Sequence, residues 1–430
     1  MTEHRLTKLS LAIGLSIATT SAMASPQTFM SARSFAMGGT GVAVAHPAAA
    51  GASNPAMMAA QHHEWSDDFG LILPSVNARF ADEEETIDQI DDIQDTIDLF
   101  DDLSQRINEA ELSDQTQASQ LRGEAQNIAG DLLGQLKGFD DDTIRVNAGL
   151  GLAVAVPGPS LSVGFFTNGN LTATVRGEFD ESDETVLQAI VDGTVDPEDV
   201  NLDGLQSRGR ILASAVAEMG VSFARAFELD NGNNLQLGIS PKYVQLRTFQ
   251  YTESISDFED DEFDSDNYET DKSGFNVDLG AAYAFGEQRQ WNAGVSIKNL
   301  IPMELDSAAS RADEEERTLE LNPMVTAGIA HKGDFHVVTA EVDLTKKEAF
   351  GYEDDTQWLA LGAEFDAFRY AQLRVGVRQN LASNDDNDGI EESTQFTAGV
   401  GLSPFGARLD IGALVSDADL GAAIELGAAF

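Results

Sequence analysis

Cysteine is absent from this 430-residue sequence, which excludes disulfides, thiolate metal sites and cysteine nucleophiles together. Basic residues are scarce: 26 Lys and Arg stand against 73 Asp and Glu, a formal charge of −47. Such a surface repels a phosphate backbone instead of releasing its counterions, so nucleic acid is not an expected partner. Proline (11) and aromatics (7%) are also few. The six histidines are His4, His46, His62, His63, His331 and His336. They form no HExxH pair, and no Gly-x-Ser-x-Gly elbow occurs, so no catalytic residue, metal ligand set or cofactor is expected and the chain is not read as an enzyme. No apolar run reaches the ~18 to 20 residues a spanning helix needs.

What is present begins with Arg5 and Lys8, an apolar stretch over 9–20, and Ala22-Met23-Ala24 before Ser25. A basic start, a short greasy middle and small residues at the cleavage point predict an export signal over 1–24. From Asp67 onward the period is two, in segments long enough for a tilted strand to cross a bilayer. Phe275, Val277, Leu279, Ala281, Tyr283 and Phe285 share one face, and Asn276, Asp278 and Gly280 the other. Leu373, Val375 and Val377 likewise oppose Arg374, Gly376 and Arg378. An oily face opposite a small or charged one suits a wall with lipid outside and a polar lumen inside.

The pattern predicts an all-β fold: a transmembrane antiparallel barrel of about fourteen strands over 67–430. Long connections (81–142, 177–210, 252–272, 302–317, 345–356, 381–393) alternate with short ones, as they do where long loops face outward and short turns face the periplasm. The last strand places Ile424, Leu426, Ala428 and Phe430 on one face, resembling the terminal signal read by barrel-insertion machinery. Outer-membrane lipids and lipopolysaccharide are the expected surroundings.

Within 81–142 the period changes. Ile90, Ile93, Ile97, Phe100, Leu103 and Ile107, then Leu121, Ala125, Ile128, Leu132 and Leu136, recur at three and four residues, predicting an extracellular α-helical hairpin. It could act as a solvated cap or as a ligand-capturing lid. The loop Asn384 to Gly389 imitates the start of a calcium loop but has Gln395 where the bidentate Glu belongs, so it is read as a solvated turn. Pro74, Pro241 and Pro323 fall inside expected strands, where each removes a ladder bond; Pro241 is the expected kink and lateral exit.

The segment 25–66 contains Arg33-Ser34-Phe35-Ala36-Met37-Gly38-Gly39-Thr40-Gly41 and ends in Asn54-Pro55-Ala56. Gly38, Gly39 and Gly41 let backbone pass close to a wall and Asn54-Pro55 sets a turn, which predicts a plug with Arg33 paired to a lumen carboxylate. The segment resembles the N-terminal region of the FadL-like outer-membrane transporters of hydrophobic compounds. It is still more similar to the barrel family labelled conjugal transfer TraF-like, which combines this arrangement with an early helical insertion. The resemblance implies a channel for hydrophobic small molecules with Arg33, Phe35, Gly38, Gly39, Asn54, Pro55, Phe100 and Pro241 on the plug or ligand path. Phe100 or Phe35 would line an apolar cavity between cap and plug. The other reading is a plugged barrel serving as a structural or assembly component of a conjugation or secretion system.

Overall fold

Segments that alternate oily and polar residues cannot bury both faces in one soluble core, and here they close on themselves instead. The computed structural model describes residues 29–59, 69–82, 84–111, 115–256, 268–312, 314–367, 370–384 and 389–429. The export signal 1–24, His62, His63 and Phe430 lie outside the described residues, as does most of the Asn384 to Gly389 loop. The wall begins with β1 (Phe69–Asp82), β2 (Thr143–Val156), β3 (Ser162–Glu178), β4 (Arg208–Glu228), β5 (Asn234–Ser254), β6 (Glu269–Phe285) and β7 (Trp291–Lys298). A detached ribbon, β8 (Met303–Asp306) and β9 (Thr318–Leu321), comes next. The wall resumes with β10 (Met324–Lys332), β11 (His336–Asp343), β12 (Trp358–Ala367), β13 (Ala371–Asn380), β14 (Thr394–Leu402), β15 (Ala407–Val415) and β16 (Asp419–Ala429). Each wall strand pairs antiparallel with its neighbours, and β1 pairs with β16, so the fourteen-stranded barrel is closed. Closure leaves no strand edge in hydrocarbon, where an unpaired peptide group is costly.

The side-chain period does the sorting. Leu373, Val375, Phe396, Ile424 and Leu426 are exposed on the outside, while Arg374, Gln372, Asp410 and Glu425 are buried inside. An oily exterior of this kind is what lipid contact requires. At the short-turn rim Tyr283, Phe285, Trp291 and His331 form a chain of ring contacts with centroids 4.7–6.4 Å apart, the position and composition of an interfacial belt.

The insertion after β1 is a helical hairpin, α3 (Thr86–Glu111) and α4 (Gln115–Gly138). Two short helices precede it, α1 (Ala32–Ala36) and α2 (Pro47–Ala50), together with a 3-10 turn at Pro55–Ala59. The hairpin packs on a helix that the period-two reading missed, α5 (Glu181–Val191), capped by Asp180. Leu187 and Ile190 of α5 complete the hairpin core, which also takes Ile144, Phe139, Leu202, Leu205 and Ile255. The helical body therefore stands over the rim of β1 to β5.

The three prolines behave differently. Pro323 has no N–H to donate, and the strand expected over 318–331 is broken there: Thr318–Leu321 joins the β8/β9 ribbon and the wall starts at Met324. At Pro241 the expected kink does not occur. The pairing of β5 with β6 runs through Pro241↔Val277 without a shift, and with β4 the register is the same before and after a short gap. The irregularity lies at Pro74, where β1 shifts register against both β2 and β16 between Ile72 and Ser75.

Candidate functional site

Residues 29–59 lie inside the barrel, and the wall is cut to receive them. A Cβ at Gly376 would overlap the backbone of Gly38 and Met37, one at Gly362 would overlap Met37, one at Gly294 would meet Val42, and one at Gly238 would meet Pro55 and Ala56. Gly38 and Gly39 take φ of +73° and +85°, a left-handed conformation that a side chain makes costly. Together they turn the chain after α1, and the Gly38 N–H donates to Thr397 Oγ1 at 2.9 Å. Backbone therefore passes against backbone without a layer of side chains between.

Polar bonds fix the plug's height. Arg33 grips Glu364 of β12 through both carboxylate oxygens, Nε to Oε2 at 2.8 Å and Nη2 to Oε1 at 2.9 Å, and its Nη1 donates to the Val44 carbonyl. Glu364 is shared with Arg374, which also holds Asp410, itself bound by Arg408. Glu341 of β11 accepts the N–H groups of Gly41 and Val42 at 2.9 Å and of Ala43 at 3.1 Å. Asn54 donates to the carbonyls of Val42 (2.7 Å) and Ala281 (3.2 Å) and accepts from Ala56 N. Pro55 opens the 3-10 turn packed against β4 to β6. Phe35 is fully buried with Ala32, Leu414 and Ala423, seated against Gly412 and Gly421.

On the long-loop side of the plug the packing stops. A cavity of about 120 Å³ opens there, and its apolar wall includes Phe29, Met30, Val42, Met324 and Trp358. Lys298, Lys347, Arg378, Glu341 and Asp343 supply its polar wall. Of the plug and ligand-path residues expected from the sequence, Gly38 and Gly39 line this chamber, with Gly41 beside them. Phe35 and Phe100 do not: Phe35 is sealed between plug and wall, and Phe100 is at 0% exposure in the hairpin core. The hairpin packs over β2, β3 and the end of β5 whereas the chamber is walled by β7 and β10 to β13, and no described hairpin residue lines it. Pro241 is likewise remote from it.

The chamber residues Lys298, Lys347 and Trp358 went unnoticed in the sequence, and Arg378 was placed on the inward face without a role. The alternation places Lys298 and Arg378 on the inward face, but the ring position that brings β7 beside β10 follows only from detaching β8 and β9. Lys347 sits in the connection after β11, where no periodicity speaks.

A second polar cluster closes the lumen nearer the long-loop rim. Arg79 of β1 and Arg145 of β2 share Glu392 and Asp419, and Arg145 also reaches Glu353. Burial alone would raise the Glu392 carboxyl, but Arg145 and Arg79 pull it down to about 2. Among the described residues no three His, Asp or Glu side chains converge as a metal site.

The family described as "F plasmid transfer operon, TraF, protein" matches residues 51–343, roughly two thirds of the chain. No curated protein matches. Among solved structures the chain is similar to a "TodX deltaS2S3 mutant monoaromatic hydrocarbon channel", with 12% identity, TM-score 0.53, and coverage of 94% of this chain and 99% of that one. It is also similar to a "TodX monoaromatic hydrocarbon channel deltaS2 mutant", with 12% identity, TM-score 0.50, and coverage of 93% and 98%. At that identity the likeness is one of fold.

Proposed function

The chain belongs to the F plasmid transfer operon TraF family, and from that premise we propose that it is an outer-membrane channel for the uptake of hydrophobic small molecules. Export by the 1–24 signal, insertion through the terminal strand ending in Phe430, and residence among outer-membrane lipids and lipopolysaccharide belong to the same reading. One observation carries it: a chamber of about 120 Å³ with two aromatics and two methionines in its wall, on the long-loop side of the plug seated in the lumen. An apolar cavity of ~150 Å³ holds benzene, so the chamber is on the scale of a single ring. The proteins of similar fold are monoaromatic hydrocarbon channels, which supports the same size class here. A plugged barrel serving only as an assembly component would have no use for such a space. In this reading passage beyond the chamber goes with a shift of the plug, whose backbone is in contact with the wall at Gly376, Gly362, Gly294 and Gly238.

Trp358 makes the test direct. Bromobenzene, a heavy-atom quencher, is titrated into the detergent-solubilised protein. Saturable quenching that disappears in Trp358→Phe is expected; quenching that rises linearly and equally in both proteins would refute occupation of the chamber. Recovery of the protein from cells in the aqueous fraction, monomeric without detergent, would refute the membrane assignment itself.

A further inference from the structure

With nearly three acids for every base in the chain, a buried base without a carboxylate is not a matter of supply. Among the buried bases of the described residues, Arg33, Arg79, Arg145, Lys242, Arg374 and Arg408 each hold one. Lys298 and Arg378 hold none, and both line the chamber, joined there by the half-buried Lys347, which also has no ion pair. Lys298 spends its ammonium on the Ala52 carbonyl at 2.7 Å. Arg378 lies over Trp358, its guanidinium carbon 4.2 Å from the ring centroid, and donates from Nε to Gln395 at 2.6 Å. Its buried Nη2 has no acceptor, and an unmet buried donor on a cation is expensive.

The acids of the chamber are already engaged. Glu341 receives the three plug N–H groups described above, and Asp343 receives the Thr326 hydroxyl at 2.7 Å and the Trp358 N–H at 3.1 Å. The space is thus lined by positive charge that no carboxylate meets, together with the apolar surfaces of Trp358, Met30 and Met324. Resting on the channel reading, we propose that the chamber selects a small organic anion, a carboxylate borne on one ring or a short chain, with its charge against Arg378 and Lys347 and its hydrocarbon against Trp358. The acidic exterior does not forbid this, because exposed charge is screened beyond about 8 Å at physiological ionic strength.

Benzoate, toluene and inorganic phosphate are titrated calorimetrically into the full-length protein in detergent. Benzoate is expected to bind more tightly than either of the others, and Lys347→Met or Arg378→Met to weaken benzoate roughly ten-fold while leaving toluene unchanged. Arg378→Lys restores part of the loss. Arg378 is buried, and its replacement could disturb folding; Lys347 lies in a connection outside the wall and keeps the test independent of that. A pH series adds a second readout. Burial brings the Lys347 ammonium down to about 8, with Glu353 and Glu392 opposing and Arg79 and Arg378 adding to the fall; Glu341 and Asp343 face the same space. Benzoate affinity should therefore drop between pH 7 and pH 9 and should not drop in Lys347→Met. Equal binding of phosphate, or benzoate affinity indifferent to both substitutions, overturns the inference. Toluene binding without benzoate preference sinks it while sparing the channel reading, and failure of both organic probes sinks the two together.

Discussion

Arg33→Met removes the main ionic link between plug and wall, and its cost can be worked from the geometry. Two buried charge-assisted bonds to Glu364 and one to the Val44 carbonyl vanish. Breaking a buried pair by deleting one partner typically costs about 3–5 kcal/mol, most of it from the orphaned charge. Here Glu364 keeps Arg374, so the lower end applies, about 3 kcal/mol. That shifts the balance between seated and unseated plug about 100-fold. The ratio does not depend on how firmly the other anchors hold, provided the plug is mostly seated in both proteins.

The absence of cysteine makes the assay clean, because a single introduced thiol reports alone. Thr40 is buried at 2% exposure within the plug, and Thr40→Cys changes little volume. Labelling by an impermeant maleimide then measures the unseated fraction when reseating is faster than reaction. We expect the rate to rise about 100-fold in Arg33→Met and by an intermediate amount in Arg33→Lys, which keeps the charge but loses the fork. Equal labelling rates in a barrel that still migrates as folded would refute the view that this pair seats the plug.

Other consequences are tested more simply. Gly376→Ala should unseat the plug by backbone overlap with Gly38 and raise the same labelling rate. Gly134→Ala, in α4 with nothing within 4 Å of the new methyl, should instead stabilise the hairpin by roughly 0.5–1 kcal/mol. The Glu392 carboxyl lies near 2 in the folded protein, below its unfolded value, so its contribution is complete above about pH 4.5 and lost as pH falls through about 2. That loss is on the order of 3 kcal/mol, and denaturant midpoints between pH 5 and 2 should flatten in Glu392→Gln. The exposed face of α3 has the opposite sign. Burial and then neighbouring acids raise Asp91 and Asp101, so mild acid should strengthen the hairpin, seen as a higher melting temperature of the helical circular-dichroism signal at pH 5 than at pH 8.

The wall was legible because its information is local. A two-residue period gives each strand and its faces, and the alternation of long and short connections fixes the count at fourteen. The hairpin was legible for the same reason, its buried positions being those that recur at three and four residues. The failures are where information is not local. Thr318 to Leu321 alternates like wall, yet Pro323 cuts it off and hands it to β8. Helix α5 is too short and too acidic to announce itself within a long connection. Phe100 and Phe35 are apolar residues that found cores of their own, and a sequence cannot say which core an aromatic joins. The chamber was invisible because its walls come from strands and connections far apart in sequence.

The distribution of lumen charge explains why the barrel spends so many of its few bases inside. Buried ion pairs give little net stability, since desolvation offsets most of their attraction. What they specify is register. At the seam where β1 meets β16, Ala81 stands opposite both Asp419 and Arg145, and Arg79 and Arg145 close on Asp419 and Glu392 across the joint. A slip of one residue would turn Asp419 toward lipid and take one carboxylate from each of the two arginines. The Glu364, Arg374, Asp410 and Arg408 series does the same from β12 to β15 and lends its first carboxylate to Arg33. Charge thus sets first the strands and then the plug against them. Lys298, Lys347 and Arg378 hold no carboxylate of either arrangement, Arg378 reaching the seam cluster through Gln395, and the one space they share is where a ligand's charge would complete the pattern.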